Sequence, residues 1–289
     1  MHLKPYIEIH IAVLLFGLTA ILGDIIRIPA VSLVWWRVLI TSISLLLIIN
    51  KLKQILQIPK RHLLFLSFIG CLIALHWITF FGSIKASNAS ITLICMATAS
   101  FFTSLLEPLI IKKKVNKIEV LYGLLVIPGM IFIVKNLETY QLLGVFLGLI
   151  SAFLAALFGI FNKTIVNTIE AKQITLIELS SSWLFISLCL PFLPKVWVTP
   201  FLPIGTDWLY LIFLAIGCTT LAFVLTLKAM QYLSAFETSL IINLEPVYGI
   251  ILAFLILNDK DELNNEFYIG VTLILFVVFT FPIIKKKFK

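Results

Sequence analysis

The most informative candidates for chemistry in this sequence are ionisable side chains that stand inside long apolar runs. Glu245 directly precedes Pro246 in the run that begins at Leu233. Proline removes a backbone donor and disrupts the hydrogen-bond ladder of a helix. The pair therefore predicts a broken helix that carries a carboxylate, which could bind an amine or hold a proton. The alternative is a carboxylate whose hydrogen bonds come from a neighbouring helix.

A second candidate pair, His76 and Trp77, lies near the middle of another apolar run. His76 could donate a hydrogen bond to a bound molecule or change its charge near neutral pH; alternatively, it bonds a carbonyl across a helix interface. Trp77 could form a cavity wall or pack between helices. Three weaker candidates could contact a bound molecule or bond between helices: Asn88, Thr92 and Asn243.

The other charges within or beside apolar runs favour structural roles. Arg37 follows two tryptophans, and we expect it in a structural ion pair with Asp24 as a candidate partner. A bound carboxylate, or snorkelling to the lipid headgroups, are the alternatives. Glu107 is expected as a solvated carboxylate near a membrane surface. Glu178 is expected to reach the headgroup region.

The sequence contains no constellation for covalent or metal chemistry. Its four cysteines lie in apolar runs without metal-ligand spacing, where a thiol behaves as a small hydrophobic group. Three of its four histidines lie in or near terminal or loop segments, and no P-loop motif is present. We therefore expect no enzyme, no metal and no cofactor.

The composition places these residues in a membrane. Of the 289 residues, 61% are apolar and 12% are charged, and the mean hydropathy is +1.11. Soluble domains contain roughly 45–50% apolar and about 25% charged residues. The net charge of +8 at pH 7 comes mainly from basic residues in short loops between apolar runs, where such residues set orientation. A soluble enzyme, a nucleic-acid binder and a disordered chain are excluded.

Ten apolar runs have lengths near the ~20 residues that cross a bilayer as a helix. They are Ile7–Gly23, Val31–Asn50, Leu63–Ile84, Ser87–Ile111, Ile118–Val134, Leu142–Ile165, Ile174–Leu193, Trp208–Met230, Leu233–Leu257 and Phe267–Ile284. The segments on the side of the two termini carry 16 Lys and Arg residues, and those on the other side carry 5. The positive-inside rule then predicts a multi-pass protein with both termini in the cytoplasm.

Ten spans divide into two halves of five, and an odd number requires the halves to be inverted. Leu15–Gly17 recurs as Leu157–Gly159 at an offset of 142, and a Lys-Ala pair recurs at an offset of 143. We predict an all-α membrane protein of ten transmembrane helices in two inverted five-helix repeats, residues 1–138 and 139–289. Inverted repeats are typical of transporters. Gly144 and Gly148 share a helix face and predict close helix packing, within the monomer or, as the alternative, in a dimer contact.

Several short segments carry a resemblance to a known family. They are Phe16–Thr19 in the first span, Trp36-Arg37 in the second, Lys228–Ala235 after the eighth and Leu244–Pro246 in the ninth. Together with ten spans in about 290 residues, they resemble the EamA-type members of the drug/metabolite transporter superfamily. The chain departs from the family at Lys114, where an acidic residue is usual, and the corresponding acidic residues of the second half are spread over Asp259, Asp261 and Glu262.

The resemblance implies a secondary transporter, commonly an exporter of amino acids or other small metabolites, in a cell membrane of the bacterial inner-membrane type. It implies a central cavity lined mainly by spans one, three, four, six, eight and nine. The expected partners are a small-molecule substrate, the lipid bilayer and a coupling proton, with no nucleic acid, in a monomer or weak homodimer. A lipid flippase or a channel-like facilitator are the alternative functions.

Overall fold

The computed structural model describes residues 3–49, 52–133, 141–249, 252 and 265–287. Within these residues the chain is helical and contains no strand. The α-helices, in chain order from α1 to α12, are Leu3–Ile25, Ala30–Ile48, Leu52–Ile55, Lys60–Ala86, Ala89–Ile110, Lys117–Ile133, Leu142–Ile165, Ala171–Cys189, Asp207–Ala215, Ala222–Met230, Ala235–Ile242 and Asn265–Lys287. A π-helical segment, Ile216–Leu221, joins α9 and α10 into one continuous helix.

Seven of the described helices are long and apolar enough to cross a membrane. They are α1, α2, α4, α5, α7, α8 extended to Phe192, and the continuous helix Asp207–Met230; α5 qualifies over Ile91–Ile110. These seven match seven of the predicted spans. A helix can cross the bilayer because its backbone N–H and C=O groups form hydrogen bonds with each other within the helix.

The three other predicted spans fall on shorter or partly described helices. The fifth span coincides with the 17-residue α6, and the tenth coincides with α12, whose apolar stretch is Thr272–Ile284. The ninth begins with α11, but much of its second half lies outside the described residues. The boundary between the predicted repeats also lies outside them, as do Asp259, Asp261 and Glu262. The count of ten spans and the inversion of the halves stay predictions.

The two ends of the bundle can be assigned from contacts. Lys4 of α1 and Tyr232, just before α11, line one pocket, and Phe236 of α11 packs on Phe281 near the end of α12 at a ring-centroid distance of 5.0 Å. The start of α1 and the end of α12 therefore lie at the same face, which we call the N-terminal pole. At the opposite face, which we call the far pole, Lys85 Nζ donates to the carbonyl oxygen of Ile26 at 2.6 Å.

An ion pair and an aromatic cluster close the far pole. Arg27 Nε lies 3.3 Å from Asp207 Oδ1. Trp35 and Trp36 pack edge-to-face at 4.8 Å between ring centroids, and Trp36 Nε1 donates to the carbonyl oxygen of Phe201 at 2.9 Å. The segment between α8 and α9 is thereby held over the start of α2.

Small residues allow α7 to lie directly against α4 and α5, as the two glycines predict. A Cβ atom on Gly144 would come 2.3 Å from Ser87 Oγ, and one on Gly148 would come 2.7 Å from the Cβ of Cys95. Ser83 Oγ donates to the carbonyl oxygen of Gly144 at 2.7 Å. The predicted close packing is thus a contact between helices of the same chain.

Candidate functional site

A cavity of about 110 Å³ lies inside the bundle, bordered by α1, α2, α4, α5, α7, α10, α11 and the residues after α11. Its wall is largely aromatic: Phe16, Trp77, Phe80, Phe158 and Phe223. Its polar lining comprises Thr19, Arg37, His76, Thr226 and Glu245. The location agrees with the helices that the resemblance implies, with the addition of Arg37 from α2.

Arg37 is the principal cation of this cavity and not the partner of Asp24. Its side chain is 1% exposed, and no ion pair with Asp24 forms. The guanidinium lies 4.1 Å above the centre of the Trp77 ring, a cation–π contact. Its Nη1 atom is buried without a hydrogen-bond partner. The prediction of an Asp24 ion pair was wrong because the helical rotation of α2 turns Arg37 into the bundle.

The π-helical segment holds the other side of the guanidinium. Arg37 Nε donates to Thr219 Oγ1 at 2.6 Å, and Thr219 Oγ1 donates to the carbonyl oxygen of Leu214 at 2.7 Å. A π-helical turn shifts the register of a helix by one residue and is frequent at functional sites. Here it carries the hydroxyl that fixes Arg37, so α9 and α10 position the cation without neutralising its charge.

Glu245 contributes the opposite charge to the same cavity. Its side chain is 7% exposed, and within the described residues no hydrogen bond or ion pair reaches its carboxylate. Arg37 attracts it electrostatically, but the two side chains do not form an ion pair within 4.0 Å. The cavity thus presents a guanidinium and a carboxyl group that are held apart.

The predicted helix break beside Glu245 is present. Helix α11 ends at Ile242, residues 243 and 244 form a turn, and residues 245–249 are helical again. The segment after the turn lies against α1, because a Cβ atom on Gly17 would come 2.8 Å from Gly249 N and 3.0 Å from the carbonyl oxygen of Glu245. A glycine is needed at position 17 for this approach.

His76 lines the cavity and also ties α4 to α7. Its Nδ1 lies 2.9 Å from the carbonyl oxygen of Ser151, and 2.8 Å from Ser151 Oγ. A carbonyl can only accept, so Nδ1 carries the proton in this bond and the Nε2 of the neutral ring has a free lone pair. His76 therefore forms the bond to a carbonyl across a helix interface that was its alternative role, and it also lines the cavity.

The three weaker candidates bond to the protein instead of lining the cavity. Asn88 is the exposed N-cap of α5, where its Oδ1 accepts from Ile91 N at 2.8 Å. Thr92 Oγ1 lies 2.7 Å from Ser83 Oγ. Asn243 Nδ2 donates to Ser100 Oγ at 2.9 Å, so that the turn before Glu245 is fastened to α5.

Two other carboxylates differ from their predicted surroundings. Glu107 is buried, and its Oε2 accepts from the backbone N–H of Phe236 at 3.2 Å in the first turn of α11. Glu178 is 0% exposed at the interface of α7 and α8 and does not reach the headgroups. Both expectations were wrong because a sequence gives the distance of a residue from a helix end but not the face on which it lies.

Sequence reasoning missed Phe158 and Phe223 as cavity residues, and Thr219 as the residue that bonds Arg37. All three lie in strongly apolar segments. No local sequence signal distinguishes these residues from their neighbours. The π-helical turn that directs the Thr219 hydroxyl toward Arg37 has no signature in the sequence either.

Comparisons with known proteins agree with this architecture. The model of the EamA-like transporter family matches the chain twice, over residues 3–135 and 142–281. A protein solved by crystallography has the same fold, with a TM-score of 0.77 and 14% sequence identity over 100% of both chains. No relative among curated proteins matches the sequence. The two family matches together span nearly the whole sequence, and the chain belongs to the EamA-like transporter family.

Proposed function

We propose that this protein is a secondary transporter that exports a small zwitterionic metabolite, such as an amino acid, by alternating access. The observation that carries the proposal is the cavity in which Arg37 Nη1 has no partner and Glu245 forms no ion pair. An unpaired charge in a low-dielectric site is costly unless a complementary group approaches it. A ligand with one negative and one positive end would complement both residues.

The two charged residues would define how the substrate lies. Arginine suits carboxylates because its planar N–H groups match the geometry of the two oxygens. The unpartnered Nη1 would therefore donate to a substrate carboxylate, and Glu245 would accept from a substrate ammonium. Phe158 and Phe223 would contact an apolar substituent at the wall.

The helix irregularities around the cavity favour a carrier over a rigid pore. Transporters place their binding sites at broken helices near the middle of the membrane. In this chain the break lies directly before Glu245, which lines the cavity, and the π-helical segment carries Thr219, which bonds the cavity residue Arg37. Movement of either segment would change the separation of the two charges.

The first test is counterflow in proteoliposomes that contain the purified full-length chain. Vesicles are loaded with unlabelled amino acids, labelled amino acids are added outside, and no ion gradient is imposed. At a label concentration near the wild-type half-saturation value, we expect transient accumulation of label that is lost in Glu245→Gln. It should be kept in Glu170→Gln, which removes an exposed carboxylate far from the cavity. Equal accumulation in both variants would contradict the assignment of Glu245.

The direction of transport needs intact cells. Cells that produce the chain should release a preloaded labelled amino acid faster than cells that produce Glu245→Gln. If no amino acid exchanges in vesicles but a labelled lipid moves between leaflets, the flippase alternative replaces this proposal.

A further inference from the structure

A second buried polar pair lies outside the cavity, where a side chain of α7 meets one of α8, the helix that packs on α4 and α2. Asn162 is 1% exposed and Glu178 is 0% exposed. Asn162 Nδ2 donates to Glu178 Oε2 at 3.5 Å, the limit of a hydrogen bond. The two remaining oxygens, Asn162 Oδ1 and Glu178 Oε1, are buried without any hydrogen-bond partner.

Within the described residues, no cation pairs with this carboxyl group. The ion pair that those residues form is Arg27–Asp207 at the far pole. The charged or titratable groups on the elements around α8 are Arg37 on α2; Lys60, Arg61, His62, Cys71, His76 and Lys85 on α4; Lys163 on α7; Lys172 and Cys189 on α8; and Lys228 on α10. None of these side chains makes an ion pair or hydrogen bond with Glu178 in the described part of the chain.

A single proton satisfies both unpartnered atoms. Each of these oxygens is an acceptor, so neither can satisfy the other while Glu178 is ionised. When Glu178 Oε1 carries a proton, it can donate to Asn162 Oδ1 while Asn162 Nδ2 donates to Oε2. The acid and the amide then form a cyclic pair with two hydrogen bonds and no net charge, which is the form that burial in an apolar bundle favours.

The pair is placed where a conformational change would expose it to water. Glu178 lies seven residues after the start of α8, so it lies about 10 Å from the N-terminal pole at ~1.5 Å per residue. At that pole Lys163 Nζ donates to the carbonyl oxygen of Met230, and Gln231 Nε2 donates to that of Val166, at 2.6 and 3.1 Å. These bonds hold the end of α7 against the end of α10.

Close packing on α4 seals the other side of Glu178. A Cβ atom on Gly70 would come 2.3 Å from the carbonyl oxygen of Glu178. Ser182 Oγ lies 2.6 Å from the carbonyl oxygen of Gly70 and 2.9 Å from that of Glu178, and bridges the two helices. Separation of α8 from α4 and α7 would therefore admit water to the carboxyl group, and renewed packing would exclude it.

We propose that the buried pair of Glu178 and Asn162 is a proton-binding site that couples transport to a proton gradient, separate from the cavity of Arg37 and Glu245. The coupling rests on the proposed transport function, whereas the proton site does not. In the packed conformation an O–H bond is present on Glu178. When the N-terminal pole opens, that bond breaks, the proton passes to water and the carboxylate is hydrated; closing requires a proton to bind again.

The first arm of the test is independent of any substrate. Infrared difference spectra of wild type minus Glu178→Gln are recorded in proteoliposomes across a pH series. We expect a carboxylic-acid C=O band at neutral pH that is absent from Glu178→Gln and shifted to higher wavenumber in Asn162→Leu, which cannot bond the acid. Glu170→Gln, the exposed control, should leave this band unchanged. An ionised-carboxylate band for Glu178 throughout the pH series would overturn the site.

The second arm measures coupling. Glutamine at position 178 can form the same two hydrogen bonds with Asn162 as the protonated acid, so the variant imitates the proton-bound state. We expect Glu178→Gln to retain counterflow but to lose the accumulation of label that an imposed pH gradient drives in wild type. Accumulation in Glu178→Gln equal to wild type would refute coupling at this site, and so would accumulation driven by a sodium gradient but not by a pH gradient.

The two arms separate the two proposals. If the wild type shows no counterflow of any pool, the proposed function and the coupling fail together, and the infrared band still decides whether Glu178 binds a proton. If counterflow depends on Glu245 but the carboxylic-acid band of Glu178 is absent, the proposed transport function is supported and the proposed proton site is refuted.

Discussion

Glu245 and Glu178 are both buried carboxylates in apolar helices, but their surroundings differ in one respect. Glu245 borders a cavity that also contains Arg37, so its charge has an opposite charge nearby and an open space before it. Glu178 is sealed between helices with a single amide as its partner. We therefore propose ligand binding for the acid that has open space before it and proton binding for the acid that is sealed between helices.

The largest effect should come from removing the charge of Glu245. Glu245→Gln deletes a charged hydrogen bond to the substrate ammonium, which contributes about 1.5–3 kcal/mol, so the apparent affinity in counterflow should fall by roughly 10- to 150-fold. Glu178→Gln should leave the half-saturation concentration in counterflow unchanged. An equal loss of affinity in the two variants would contradict the distinction between Glu245 and Glu178.

Opening the sealed site should lower stability. Gly70→Ala places a Cβ atom 2.3 Å from the carbonyl oxygen of Glu178 and forces α4 and α8 apart. Overpacking of this kind costs about 1–3 kcal/mol, which thermal unfolding in detergent would report as a lower Tm.

Gly159→Ala is the matched control, because nothing lies within 4 Å of a Cβ atom at that position. Its Tm should equal or exceed that of the wild type, since alanine favours helix more than glycine does. A Tm for Gly70→Ala as high as that of Gly159→Ala would show that the packing around Glu178 is loose.

A smaller effect should follow from changing the shape of the cavity cation while keeping its charge. Arg37→Lys loses the Nε bond to Thr219 and the second N–H that a planar fork offers to a carboxylate. We expect about a tenfold loss of apparent affinity, or ~1.4 kcal/mol, for substrates that carry a carboxylate. An analogue without the carboxylate should have the same apparent affinity for wild type and for Arg37→Lys. An equal loss of affinity for both ligands would show that Arg37 does not recognise the carboxylate.

The smallest effect should come from the bond that fastens the turn before Glu245. Asn243→Ala removes the hydrogen bond to Ser100, and interhelical bonds in membranes contribute about 0.6 kcal/mol on average. Ser100→Ala should have a similar effect on the free energy of unfolding, and the double variant should be no worse than either single one. Additive losses would mean that the two side chains stabilise the protein independently.

Hydropathy and short motifs were enough to predict the helical membrane architecture and the family. Long apolar runs can satisfy their backbone groups in lipid only as helices, so most span positions follow from hydropathy alone. Pro246 predicted the break before residues 245–249. Glu245, His76 and Trp77, which the sequence singled out for substrate binding or coupling, line one cavity, and their roles stay predictions. Gly144 and Gly148 predicted close packing, since small residues allow helix backbones to approach.

Which buried polar groups meet depends on how the helices pack against one another. Arg37 was expected beside Asp24, yet helix rotation and the π-helical register place it against Trp77 and Thr219. Asn88 and Thr92 were expected near substrate, yet one caps α5 and the other bonds Ser83. A sequence records how far a residue lies along its helix, whereas the partner it meets depends on how that helix is rotated and packed against others, which is a property of the whole bundle.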